Sequence, residues 1–190
     1  QGETVTVAAG TVVKGFSNSV LDVQGSLVAE GTAADPVVFT SVKDDSAGGD
    51  TNGDGNTTVP VAGDWYGIYG NSAGSSLSLS SVEVSFARDG VTAGGMGRLV
   101  LVDSVVSSSA RSGVYVASGF GFDGAPAPRI QNNVFVGNGT EPTDAAVLVD
   151  SLSIDPDLIS GNTGSGNVLN GVFFKGRMRS GLLTSRPGFP

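Results

Sequence analysis

Five short segments decide how this chain folds: Tyr66-Gly67-Ile68-Tyr69, Asp89-Gly90-Val91-Thr92, Ser112-Gly113-Val114-Tyr115, Ala145-Ala146-Val147-Leu148 and Asn170-Gly171-Val172-Phe173. Each puts a small residue before a β-branched anchor. The anchors Ile68, Val91, Val114, Val147 and Val172 recur at spacings of 23, 23, 33 and 25 residues. A second track runs beside the first: Ser81-Val82, Ser104-Val105, Asn133-Val134 and Asn162-Thr163, spaced 23, 29 and 29. A period near 23, with the excess absorbed in Gly- and Pro-rich stretches, is what a solenoid built coil by coil produces.

The segments between these anchors support the same reading. Val5-Thr6-Val7, Thr11-Val12-Val13, Leu27-Val28, Val37-Val38-Phe39-Thr40 and Leu99-Val100-Leu101-Val102 are short β-branched or Leu/Val runs bounded by Gly, Asn, Asp or Ser. Helical patterning is almost missing. A strand carrying one or two inward apolar residues cannot bury them alone. Stacking coils ~4.8 Å apart sets each inward Val on the one below and gives every strand parallel ladder bonds. Ser, Gly and Asn suit the corners, where the backbone turns sharply and amide side chains stack. An immunoglobulin-type sandwich gives no reason for one recurring Gly-apolar pair. The expected fold is therefore an all-β, right-handed parallel β-helix of about seven coils. It is read as a single domain over residues 1–179 with a long acidic insertion at 43–63, followed by an extended C-terminal tail at 180–190.

Composition removes whole classes of function. The 190 residues carry 10 Lys and Arg against 18 Asp and Glu, a net charge of −8, which disfavours a nucleic-acid partner. With no His and no Cys, thiol nucleophiles, zinc fingers, His–metal centres, disulfides and imidazole triads are all excluded. No apolar run approaches the ~20 residues of a membrane helix. The first residue is Gln1 rather than Met, which fits a processed secreted protein or a piece of a longer chain. Two sequons, Asn56-Thr57-Thr58 and Asn138-Gly139-Thr140, are of the kind that arises by chance in Ser/Thr-rich chains.

The stretch from Gly10-Thr11-Val12-Val13-Lys14 through Gly25-Ser26-Leu27-Val28 to Asp35-Pro36-Val37-Val38-Phe39-Thr40-Ser41 resembles the right-handed parallel β-helix modules of bacterial secreted and cell-surface proteins, in the pectin-lyase-like superfamily. Gly63-Asp64-Trp65-Tyr66-Gly67-Ile68 resembles the G-x-W-x-G-I that follows an acidic insertion in those modules. The resemblance implies an extracellular β-helix. It does not imply one activity, since the superfamily ranges from lyases to inert stalks.

Within the insertion, Asp50-x-Asn52-x-Asp54-Gly55 has the spacing of an oxygen-ligand calcium loop. The twelfth position is Val61, so the usual bidentate Glu is missing and Asp44, Asp45 or Asp64 is expected to complete a Ca²⁺ shell. The competing reading is a solvated acidic loop. Arg88, Arg111 and Asp144 each lie two residues before an aligned small residue and are expected to form one outer charge ladder.

Three classes of function follow. Polysaccharide cleavage needs convergent carboxylates or a carboxylate–Arg/Lys set, and Asp103, Asp123 and Asp150 are irregularly spaced. Few aromatics, chiefly Tyr66, Tyr69 and Tyr115, are available to stack glycans in a binding surface. The third class, a non-catalytic extracellular structural β-helix, is favoured. It is a self-associating filament subunit or a rigid stalk or adhesin module, with Thr4-Val5-Thr6-Val7 and Ser180-Gly181-Leu182-Leu183-Thr184-Ser185 as uncapped ends. The expected partner is a second copy stacked head to tail, with glycans as the alternative ligand.

Overall fold

The computed structural model describes residues 2–70, 72–95, 97–117, 127–150 and 155–174. The chain winds through three strands per coil. Coil one holds β1 (Thr4–Ala8), β2 (Val12–Gly15) and β3 (Val20–Asp22), and coil two holds β4 (Ser26–Glu30), β5 (Val37–Ser41) and β6 (Gly67–Gly70). Coil three holds β7 (Ser76–Ser80), β8 (Val82–Ser85) and β9 (Val91–Ala93); coil four holds β10 (Arg98–Val102), β11 (Val105–Ser107) and β12 (Val114–Ala117). Coil five holds β13 (Arg129–Gln131), β14 (Val134–Val136) and β15 (Val147–Asp150), and coil six holds β16 (Ile159–Ser160), β17 (Thr163–Ser165) and β18 (Val172–Phe174).

Every third strand pairs in parallel, giving three six-stranded sheets led by β1, β2 and β3. A parallel crossover of this kind is right-handed, so the chain is a right-handed parallel β-helix. The described residues form six coils rather than about seven, and the expected tail at 180–190 lies outside them. Among the described residues no helix is long and apolar enough to cross a membrane.

The core is built of stacked inward columns, of which one runs through the middle of each sheet. Val7, Ala29, Leu79, Leu101, Ile130 and Ile159 stack in the first sheet. Val13, Phe39, Val84, Val106 and Phe135 stack in the second. The third column is Leu21, Ile68, Val91, Val114, Val147 and Val172, so the five anchors read from the sequence all face inward in register. The residues between them face outward, as the two-residue period of a strand requires.

The corners explain why so short a period closes. Ser81, Asp103 and Asn132 adopt positive φ (50°, 52° and 57°), with Gly161 (70°) at the same corner of coil six. Asn and Asp tolerate this left-handed region better than β-branched residues do. The next residue then points inward, and in coils four to six it is Ser104, Asn133 and Asn162, all buried. Asn133 Nδ2 donates to Leu101 O (2.9 Å) and Asn162 Oδ1 (2.9 Å), while its Oδ1 accepts from Ser104 N (3.0 Å). At the next corner Asn138 repeats the pattern, donating to Val106 O (2.9 Å) and Asn167 Oδ1 (2.8 Å) and accepting from Ser109 N (3.0 Å). These amide ladders satisfy backbone groups where the strand pairing lapses.

The second ladder ends within the chain. Asn167 N and Nδ2 both donate to Asn170 Oδ1 (3.0 and 2.8 Å). In coil five the equivalent donors of Asn138 go to the Asn of the coil above, Asn167. Asn170 thus occupies the position an asparagine of the following coil would take.

Candidate metal centre

Residues 43–63 leave the coil after β5 and return before β6. The base of this insertion is clamped by Asp64: Lys43 Nζ lies 2.6 Å from Oδ1, and Ser41 Oγ (2.8 Å) and Val61 N (3.1 Å) donate to Oδ2. Burial alone would raise the Asp64 carboxyl, but these hydrogen bonds, led by Lys43, outweigh it and hold it below its ordinary value of 3.8. Trp65, next in sequence, is buried against Gly15 and donates from Nε1 to Ser85 O (2.9 Å). Gly67 has φ 107° and lies so close to Asp89 O that a Cβ would collide with it, which fixes glycine in the G-x-W-x-G-I segment.

The insertion folds over the outer side of β2, where Lys14 Nζ donates to Gly49 O (2.6 Å) and Gly48 lies over Val12. Asp50 gathers the backbone of the turn: Gly53 N (2.7 Å) and Asp54 N (3.2 Å) donate to Oδ1, and Gly55 N (2.9 Å) donates to Oδ2. The Gly55 bond is the chief reason its carboxyl sits below the ordinary value of 3.8. Asp54 Oδ2 accepts from Asn52 Nδ2 (2.8 Å) and Thr58 Oγ1 (2.5 Å).

Of the six residues expected at the metal, the structure brings three carboxylates together. One oxygen each of Asp45, Asp50 and Asp54 lies within 4.8 Å of the others. Oxygens ~2.4 Å from one Ca²⁺ lie at most ~4.8 Å apart, so the spacing fits a shared cation. Asp45 Oδ1 and Asp54 Oδ1 are shielded from solvent and have no hydrogen-bond partner. A shielded carboxylate oxygen without a donor is costly, and three converging carboxylates repel one another. An oxygen-seeking divalent cation answers both costs. Asn52 borders the group, donating from Nδ2 to Asp54 Oδ2 (2.8 Å) and accepting from Asp54 N at Oδ1 (3.4 Å).

Asp44 and Asp64 are used elsewhere. Asp44 is buried, accepting from Thr40 Oγ1 (2.7 Å), Ser46 N (3.2 Å) and Ser46 Oγ (2.5 Å), so it shapes the start of the insertion. Asp64 is the clamp already described. Sequence spacing offered Asp44, Asp45 and Asp64 equally; the path of the loop brings Asp45 beside Asp50 and Asp54.

A second polar cluster lies beside the third sheet, gathered on Asp89, which the sequence reading did not single out. Asp89 is buried, accepts from the Tyr69 hydroxyl (3.2 Å), and has Arg88 Nε 3.5 Å from Oδ2. The Arg88 guanidinium lies 4.7 Å from the centre of the Tyr66 ring. Desolvation pushes the Asp89 carboxyl above its ordinary value in spite of the opposing charges of Arg111 and Arg88. The expected ladder is therefore half formed. Arg111 N donates to Arg88 O (2.7 Å) and the charges of both arginines act on Asp89, whereas Asp144 is buried and closes a turn through Thr140 N and Glu141 N.

Asp103 stands at the corner between the first and second sheets, accepting from Asn132 Nδ2 (3.2 Å), and Asp150 ends β15 in the third sheet. The fold does not bring these two together; Asp123 lies outside the described residues. Of the two sequons, Asn56 is exposed, while Asn138 is fully buried in the amide ladder and is closed to glycosylation. No family model, curated protein or solved structure matches the chain. What defines its class is the architecture: a right-handed parallel β-helix whose second coil carries a folded acidic insertion.

Proposed function

We propose that this protein is a non-catalytic, extracellular structural module of the pectin-lyase-like kind, working as a rigid β-helix that links to other copies and is braced by Ca²⁺. The observation that carries the reading is the regularity of the stack, in which six coils share three continuous parallel sheets. β1, β2 and β3 are each the last strand of their sheet. Val5 belongs to an inward column in which Leu27 is 2 % exposed, yet Val5 is 61 % exposed. Such an edge suits continuation of the stack by a further coil. Asp45, Asp50 and Asp54 would hold the cation, whose chemistry here is charge neutralisation that stiffens the insertion against β2.

Sedimentation of the 190-residue chain over a range of concentrations tests the linking role. A species heavier than the monomer is expected, and Val5→Lys should shift it toward monomer. A chain that stays monomeric at every concentration overturns the proposal. Formation of unsaturated products or reducing ends from acidic polysaccharides with Ca²⁺ present would overturn its non-catalytic part.

A further inference from the structure

We infer that Asn52 is a site of spontaneous covalent modification, deamidating to aspartate or isoaspartate and so adding a fourth carboxylate beside Asp45, Asp50 and Asp54. Three asparagines of the chain precede glycine, the neighbour whose missing side chain hinders attack on the amide least: Asn52, Asn138 and Asn170. The fold separates them. Asn138 is fully buried, its Nδ2 and Oδ1 are held by the ladder, and Gly139 N donates to Ser109 O (2.9 Å). Asn170 is at the surface, but both donors of Asn167 fix its Oδ1, and Gly171 N donates to Leu169 O (3.0 Å). Asn52 and Gly53 are both exposed, and nothing stands within 4 Å of the open side of Gly53. Gly53 N donates to Asp50 Oδ1 (2.7 Å), an exposed bond that water replaces whenever the turn opens.

The reaction needs water alone. Gly53 N gives its proton to solvent and attacks Asn52 Cγ. The new N–Cγ bond forms as the Cγ–Nδ2 bond breaks, and Nδ2 leaves as ammonia with a proton from solvent. Water then opens the ring at Cγ to give aspartate, or at the Asn52 backbone carbonyl to give isoaspartate. Either product carries a carboxylate where the amide stood. At present Asn52 Nδ2 donates to Asp54 Oδ2 (2.8 Å) and Thr58 Oγ1 (3.2 Å), so the amide braces the turn. Deamidation removes that donor and sets a second carboxylate beside Asp54, a repulsion that a shared cation relieves. This consequence rests on the Ca²⁺ reading above; the modification itself does not.

Incubating the 190-residue chain in warm, mildly alkaline buffer with a chelator, followed by peptide mass mapping, tests the inference. The peptide holding Asn52 should gain about 1 Da, and Asn52→Gln should abolish the gain. That gain should be at least about tenfold faster than at Asn138 or Asn170, whose reaction waits for the β-helix to open. Circular dichroism confirms that the chain stays folded throughout. An unchanged Asn52, or an Asn138 that reacts as fast, overturns the inference. Asn52→Asp reproduces the carboxylate, and calorimetry should show it binding Ca²⁺ about tenfold more tightly than the parent. Equal affinities would overturn the role of the fourth carboxylate at the cation. Heat from neither chain would overturn the Ca²⁺ reading instead, with the mass gain at Asn52 still supporting the modification.

Discussion

The buried asparagines hold the corners because each meets several backbone groups that no strand reaches. Replacing Asn138 with Ala orphans Val106 O and Ser109 N in a dry interior, at about 2–4 kcal/mol. Asn170→Ala, at the exposed end of the same ladder where water can enter, should cost about 1 kcal/mol. Denaturant melts of the two variants check the order; equal losses would mean that the ladder contributes as a whole rather than through its buried rungs. Asp89 gives a prediction of opposite sign. Its folded carboxyl is raised, so the stability it contributes is complete below the ordinary carboxylate value and is lost as pH rises through the folded value. Asp89→Asn, uncharged at every pH, should therefore melt close to the parent near pH 4 and above it at pH 7. The parent being the more stable at pH 7 would show that Arg88, Arg111 and Tyr69 more than repay the burial.

Among the elements, the strands were legible and the loop only partly so. Strands announce themselves by β-branched runs at a fixed period, and the period survives because each coil must set its Val or Ile on the one below. The corner asparagines Asn133 and Asn162 were legible for the same reason, being tied to the register of the strand that follows, whereas Asn138 and Asn167 precede no such strand directly and were not. The insertion follows no such rule. Asp50 and Asp54 are placed by local turn chemistry that their spacing encodes, but Asp45 reaches them through the path of the chain between, and Asp64 is taken by Lys43. Asp89 was missed because its partners Tyr69 and Arg111 come from neighbouring coils. The calcium reading is tested at this scale. Calorimetry should give binding with a dissociation constant of roughly 10⁻⁵–10⁻³ M, and Asp54→Asn should weaken it about tenfold or more. At a hundredfold excess over that constant Ca²⁺ should stabilise the fold by about 2.7 kcal/mol. Absence of heat at millimolar metal would return the loop to a purely hydrogen-bonded role, with Asp64→Ala then the variant that loosens it.

For the whole molecule, stability is distributed along the axis, because each coil contacts only its neighbours. Coils three and four are sandwiched, and their inward Leu79, Val84, Val91, Leu101, Val106 and Val114 are fully or almost fully buried. Within the described residues coil one has a neighbour on one side, and its inward Val5 is 61 % exposed while Val7, Val13 and Leu21 are only partly buried. In a quasi-one-dimensional array an end unit opens without unfolding the middle. Amide hydrogen exchange of the dilute chain should therefore be fast over β1, β2 and β3 and slow over β7 to β12. Concentrating the chain should slow exchange at coil one selectively, since an apposed coil supplies the missing acceptors and covers Val5. Ca²⁺ should slow exchange in the insertion and, through the Lys14–Gly49 tether, at β2 as well. Uniform exchange along all six coils would mean that the β-helix opens as a single cooperative unit. The exposed first coil would then carry no separate instability for association to relieve.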